Sequence, residues 1–157
     1  VQNALYLSEI LKAKNYPSEV FSSQNLDRIC SHYSPRKASL ALAAGKICFL
    51  SGGTGNPFFT TDTAAVLRAV ELRLDLVLKG TNVDGLYSSD PRKDSKAKLI
   101  SSASYDDCLE QKLGVMDMTA FALARDNSLP IKIFNVSKPG TLCEAVTSAG
   151  CGSYIHP

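Results

Sequence analysis

Charge of one sign is nearly missing from the balance of this chain: 17 Lys and Arg stand against 15 Asp and Glu, a formal net charge of +2 over 157 residues. A dedicated nucleic-acid binder usually concentrates basic side chains in a stripe, so this balance argues against one. The densest basic stretch, Arg92-Lys93-Asp94-Ser95-Lys96-Ala97-Lys98, is interrupted by Asp94 and reads as a solvated loop. Cysteine lacks pattern. Cys30, Cys48, Cys108, Cys143 and Cys151 include no pair at Cys-x-x-Cys spacing, which excludes the common zinc motifs. Their odd number fits reduced thiols in a cytoplasmic protein. His32 and His156 stand alone, without a carboxylate or thiol at ligand spacing, so no protein-borne metal site is expected. No apolar run reaches membrane-spanning length and no signal-peptide pattern is visible, so neither membrane contact nor export is expected.

What remains is ordinary globular composition, with 45% hydrophobic and 20% charged residues and length enough for one domain with one core. Strand and helix patterns alternate along it. Leu7, Ile10 and Leu11 recur at helical spacing near the start, with no leading strand and no initiator methionine, so a preceding piece is expected to be absent. A short strand is expected over Glu19–Ser22. Ser34-Pro35 should open a helix that Gly45 closes. Lys46–Leu50 is almost uninterruptedly apolar, as in a strand buried on both faces of a parallel sheet. A helix over Thr63–Leu74 and a strand over Asp75–Lys79 should follow, then a turn-rich loop from Thr81 to Lys98. Further strands are expected near Leu99–Ser101, Ile131–Asn135 and Ser153–Ile155, and helices over Tyr105–Lys112, Asp117–Asn127 and Thr141–Thr147. This alternation implies a single α/β domain, a three-layer αβα sandwich with a mainly parallel sheet.

Parallel α/β sheets bind ligands beyond the carboxyl ends of their strands, and the turn Ser51–Thr61 occupies such an end. Gly52, Gly53 and Gly55 let backbone amides approach an anion closely. Thr60 and Thr61 bring hydroxyls to a helix start, where the macrodipole favours phosphate. Phe58 and Phe59 are unusual in a solvated loop and are expected to line a pocket for a flat base. The plainer reading is a strand–helix turn capped by Thr61, with Asp62 in the first turn. Capping alone does not account for three glycines and two aromatics in one loop. Two common nucleotide motifs are excluded: Gly53-x-Gly55-x-x-Phe58 lacks the third glycine of the dinucleotide fingerprint, and Gly80-x-x-x-x-Gly85 is followed by Leu86 instead of the P-loop lysine.

The string Gly53-Thr54-Gly55-Asn56-Pro57-Phe58-Phe59-Thr60-Thr61-Asp62 resembles the bacterial-type uridylate kinase signature of the amino acid kinase family. Four more matches follow in the family's order: Leu78-Lys79-x-Thr81-x-Val83-Asp84-Gly85-x-Tyr87-x-x-Asp90-Pro91; Val115-Met116-Asp117; Leu123-Ala124-Arg125-Asp126-Asn127-x-Leu129-Pro130-Ile131; and Phe134-Asn135-Val136-x-Lys138-Pro139-Gly140. The resemblance is strong from about Lys46 onward and weaker before it. It implies transfer of the ATP γ-phosphoryl group to UMP, giving UDP, with Mg2+ accompanying the ATP. By that resemblance Thr54, Gly55, Asn56, Pro57, Phe58, Phe59, Thr60 and Thr61 hold UMP, while Thr81, Tyr87 and Asp90 border the ATP site. Asp62 is the candidate catalytic acid, orienting cations and polar groups around the phosphates. Such chemistry needs positioning and charge neutralisation, and no covalent nucleophile. Asp75, Lys79 and Asp117 have structural readings at least as good as catalytic ones. The resemblance also implies a cytoplasmic homo-oligomer, commonly a hexamer, with the apolar face of the first helix available as an interface.

This sequence departs from the family pattern in three places. The N-terminal strand with its lysine loop, and the next glycine-rich loop, are not among these residues, so the 157-residue chain is expected to be a poor catalyst by itself. Around the first helix and the following strand, where many family members carry basic residues for a nucleotide effector, this chain offers Ser8, Lys12 and Glu19. Gly80 stands where alanine is common. Two alternatives remain open: a non-catalytic nucleotide-binding or assembly module, and a kinase of the same fold acting on a carboxylate or carbamate.

Overall fold

The computed structural model describes residues 1–114, 116–148 and 150–157. They gather into two compact units, Val1–Leu72 and Arg73–Pro157, each described by itself.

The first unit contains α1 (Gln2–Ala13), β1 (Ser18–Ser22), β2 (Ser31–His32), α2 (Pro35–Ala43), β3 (Ile47–Ser51) and α3 (Thr61–Glu71). Its sheet has the order β2-β1-β3 and is parallel throughout. Register runs from Ser18 opposite Ile47 to Ser22 opposite Ser51, so both strands end together. Pleating sends Glu19, Phe21, Cys48 and Leu50 to one face. There Phe21 packs into a fully buried cluster with Ala38 and Ala41 of α2, joined by Tyr33, Cys48 and Leu72. Ser34 caps α2 by accepting from the Lys37 amide at 3.3 Å, with Pro35 in the first turn. The small Ala38 and Ala41 side chains let α2 lie close to the strands, where Phe21 is the largest fully buried apolar side chain. On the opposite face, α1 is joined to β1 by a buried polar contact: the Ser8 and Ser18 hydroxyls lie 2.9 Å apart, and Ser18 donates to the Ser8 carbonyl at 3.0 Å.

Several expectations shift here. Lys46–Leu50 was expected to be buried on both faces, yet Ile47 is 44% and Leu50 36% exposed, because β3 is an end strand of its three-stranded sheet. The helix after the glycine turn begins at Thr61, two residues before the sequence pattern indicates. Thr60, and not Thr61, is its N-cap, accepting from the Thr63 amide at 3.2 Å. The two-residue strand β2 carries too little periodicity to be read from sequence.

The second unit contains β4 (Val77–Thr81), β5 (Leu86–Tyr87), β6 (Leu99–Ile100), β7 (Ser102–Ser104), α4 (Tyr105–Glu110), α5 (Met118–Asp126), β8 (Ile131–Asn135), α6 (Thr141–Thr147) and β9 (Ser153–His156). Its main sheet has the order β4-β8-β9-β7, with β4–β8 and β7–β9 parallel and β8–β9 antiparallel. The strand expected over Asp75–Lys79 starts at Val77, which carries Thr81 to its carboxyl end. Inside the expected loop, β5 forms a small antiparallel pair with β6, which lies where a strand near Leu99–Ser101 is expected.

β8 is the buried centre of this unit, with Ile131, Ile133 and Phe134 almost inaccessible. Lys132 is also buried, and its ammonium donates to the Ser148 carbonyl just past α6, where a helix dipole favours a cation. Tyr105 packs edge-on against Phe121, with ring centroids 4.9 Å apart, and donates its hydroxyl to the Leu129 carbonyl. Ser104 and Asp107 form a capping box at α4. Gly85 sits where a side chain has no room: a Cβ there would lie 2.3 Å from the Ser153 hydroxyl, which accepts from the Leu86 amide and donates to the Ile100 carbonyl. Gly85→Ala should therefore cost about 1–3 kcal/mol of stability, as overpacking typically does; urea unfolding of the variant against the parent checks this.

Candidate active site

Two turns at strand carboxyl ends carry the polar residues, one in each unit. In the first, β3 ends at Ser51 and the chain crosses to α3 through Gly52, Gly53 and Gly55, at φ of 80°, 66° and 83°. This left-handed region is accessible to glycine at little steric cost. Gly52 and Gly55 are also constrained by contact, since a Cβ at Gly52 would lie 2.5 Å from the Ser23 hydroxyl and one at Gly55 would lie 3.2 Å from the Ser23 Cβ. The equal ends of β1 and β3 thus bring Ser23 against the glycine turn. Its hydroxyl donates to the Gly52 carbonyl and its amide to the Ser51 carbonyl.

The rest of the turn is tied down locally. Thr54 Oγ1 donates to the Asn56 carbonyl at 3.2 Å and accepts from the Asn56 amide at 3.1 Å. Arg68, one side of α3, reaches back with its guanidinium to the carbonyls of Gly53 and Thr54, at 3.3 and 3.4 Å. Asp62 lies in the first turn of α3, half-buried, one residue beyond Thr61. Phe58 is fully exposed and Phe59 about half exposed on this turn. Phe58 also holds φ of +69°, an uncommon backbone state for a bulky residue. Asn56, Pro57 and Thr60 are likewise exposed along this outer rim.

In the second unit, Thr81, Tyr87 and Asp90 line one cavity of about 420 Å³ together with Val83, Leu86 and Lys112. The sequence assigned these three residues to one nucleotide site, and the fold brings them together. The Thr81 hydroxyl donates to the Val83 carbonyl at 2.8 Å and accepts from the Val83 amide, which curls the chain at the end of β4. A second, mainly apolar cavity of about 280 Å³ shares Lys112, Leu113 and Gly114 with the first. Leu109, Met116, Met118 and Phe121 supply its apolar lining, and burial pushes the thiol of Cys108, also on its wall, up to about 11.

Two motifs distant in sequence meet at the carboxyl ends of β4 and β8. The Val136 amide donates to the Thr81 carbonyl at 2.9 Å, and Ser137 donates to Asn82. Asp84 accepts from Lys138 at 2.6 Å and from Asn135 at 3.0 Å. Those hydrogen bonds hold the Asp84 carboxyl below its ordinary value of 3.8. Asp117 caps α5, accepting from the Thr119 and Ala120 amides at 3.0 Å. Of the motif Val115-Met116-Asp117, Val115 lies outside the described residues. Asp75 is exposed in the turn before β4, and Lys79 is half-buried within that strand.

Ser23, Tyr33, Arg68 and Glu71 were not singled out by sequence. Ser23 was legible in principle, because it follows the end of β1 as Gly52 follows the end of β3. The other three are joined only by folding.

Asp84 gives a direct electrostatic test. Its folded pKa is depressed, so the contribution of the pair is present above the unfolded value and is lost as pH falls through the folded value. A carboxyl ¹³C titration should place the Asp84 midpoint below 3.8, and Lys138→Met should raise it.

With that geometry in place, comparison with known proteins is informative. Residues 1–135 match the model of the amino acid kinase family. The uridylate kinase of Stutzerimonas stutzeri (strain A1501) is 46% identical over 156 residues, covering 99% of this chain and 63% of that protein. The uridylate kinase of Buchnera aphidicola subsp. Baizongia pistaciae is 49% identical, with 99% and 64% covered. The crystal structure of UMP kinase from Bacillus anthracis superposes with a TM-score of 0.92 at 34% identity, covering 98% of this chain and 64% of that one. UMP kinase from Ureaplasma parvum gives 0.93 at 30% identity, with 99% and 66% covered. The chain thus spans just under two thirds of the length of the curated relatives it matches.

Proposed function

Because the chain belongs to the amino acid kinase family, with its α/β fold and parallel-rich sheets, we propose that the protein carrying it is a uridylate kinase, moving the γ-phosphoryl group of ATP to UMP to give UDP and ADP in pyrimidine nucleotide synthesis. The observation that carries this reading is the turn Gly53–Asp62: the signature string lies at the carboxyl end of β3, where three left-handed glycines join the strand to α3. The family match crosses both compact units, which supports treating them as one domain.

In this reading Thr54 through Thr61 hold the UMP phosphate and nucleoside, through backbone amides and hydroxyls. Thr81, Tyr87 and Asp90 border ATP, with the Tyr87 ring beside adenine; their shared cavity supports the assignment. Mg2+ would travel with ATP. That ion usually keeps phosphate and water oxygens as most of its ligands, and the Asp90 carboxylate on the cavity wall is a suitable hard donor. Asp62 orients the polar groups around the reacting phosphates, and catalysis comes from positioning and charge neutralisation. Cytoplasmic placement and hexameric assembly belong to the same proposal. Exposure of Tyr6, Leu7 and Ile10 on α1 supports a subunit contact there.

ADP release from ATP–Mg2+ measured in parallel over UMP, CMP and acetylglutamate is expected to show turnover with UMP; activity on acetylglutamate alone would overturn the assignment. Asp62→Asn is expected to lower kcat on the order of a hundredfold, the scale of losing one oriented electrostatic group, with little change in the KM for UMP.

A further inference from the structure

Arg68 makes more contacts than a helix-surface arginine needs. Its side chain is only 11% exposed. One nitrogen donates to the Glu71 carboxylate at 2.8 Å, and another faces the Gly53 and Thr54 carbonyls at 3.3 and 3.4 Å. The guanidinium carbon stands 3.9 Å from the centroid of the Tyr33 ring. Tyr33 in turn donates its hydroxyl to the same Glu71 oxygen at 2.6 Å. Arg68, Glu71 and Tyr33 therefore form a closed triangle: a salt bridge, a hydrogen bond and a cation–π contact. Burial and the Glu71 carboxylate push the Tyr33 hydroxyl up to about 12, so it stays a donor throughout the physiological range.

The geometry points to Arg68 as a positioning residue for the glycine turn, presenting the amides of Thr54 and Gly55 to the acceptor nucleotide. Peptide units are planar and trans, so each C=O points opposite to the N–H of the following residue. Drawing the Gly53 and Thr54 carbonyls toward α3 therefore turns the Thr54 and Gly55 N–H groups away from it, toward the open side of the turn. At their observed length the two hydrogen bonds are individually weak. Their effect comes from a guanidinium whose place is set by Tyr33 and Glu71, because a planar fork can hold several partners at once. Ser23 restrains the turn at Gly52, and Arg68 restrains it at Gly53 and Thr54. The glycines need such restraint, since their backbone has the most conformational freedom to lose. The role rests on the proposed uridylate kinase activity. The restraint itself does not.

Arg68→Lys keeps the charge but cannot span Glu71, both carbonyls and the Tyr33 face. In the full-length protein we expect the KM for UMP to rise about tenfold or more through misplacement of the acceptor loop, with the KM for ATP unchanged. Tyr33→Phe, which retains the ring and loses its bond to Glu71, is expected to shift the KM for UMP in the same direction by less. A merely structural arginine would move both Michaelis constants together, or neither, and either result overturns the role. Backbone ¹⁵N order parameters are read alongside: those of Thr54 and Gly55 should fall in Arg68→Lys while those of α3 hold. If the parent makes no UDP, the uridylate kinase reading fails, and these order parameters still decide the restraint; values equal to the parent's would overturn it.

Discussion

The parallel pairing of β1 with β3 is the constraint on which the candidate acceptor site depends. Five residues of each strand run side by side from Ser18–Ile47 to Ser22–Ser51, so both chains leave the sheet at one level. That shared exit places Ser23 against Gly52 and Gly55, leaving no room for a side chain at Gly52 and only a tight fit at Gly55. The pairing is secured on one face by Phe21 packed on Ala38 and Ala41, and on the other by the buried Ser8–Ser18 contact. A slip of one residue would turn Phe21 to the α1 face and uncouple Ser23 from the turn. Glycines with positive φ alone make a permissive turn; the neighbouring strand makes it a defined one.

The second unit uses the same principle with different chemistry. β4 and β8 also run parallel and end level, at Thr81 and Asn135. Their outgoing loops are joined by the Val136–Thr81 backbone bond and by Asp84 between Lys138 and Asn135. The cavity holding Thr81, Tyr87 and Asp90 opens beside this junction. Lys132 can occupy the buried strand β8 because its ammonium finds the carbonyl past the end of α6, sparing the cost of an unpaired buried charge. In both units, polar side chains stitch strand ends together.

Much of this was legible beforehand. The helix opened by Ser34-Pro35, the helix starting at about Asp117, the helix over Thr141–Thr147 and the strand Ile131–Asn135 follow from local residue chemistry, and all occur where that chemistry indicates. Misreadings cluster where local pattern is silent about neighbours. Lys46–Leu50 has the composition of a doubly buried strand, yet β3 ends its sheet and leaves Ile47 and Leu50 partly open. β2 and β5 are two residues long, too short for any period to register.

The sequence by itself determined the alternation of strands and helices, the chemical character of the glycine–threonine turn and its likeness to one branch of the amino acid kinase family. These depend on residues adjacent in the chain, whose spacing records the local backbone directly. Only the tertiary structure decided what restrains that turn: Ser23 from one strand end, and Arg68 held between Tyr33 and Glu71. The reason is physical. Tyr33 and Glu71 are 38 residues apart, and no periodicity encodes a contact that exists only once the residue after β2 and the end of α3 have been brought together.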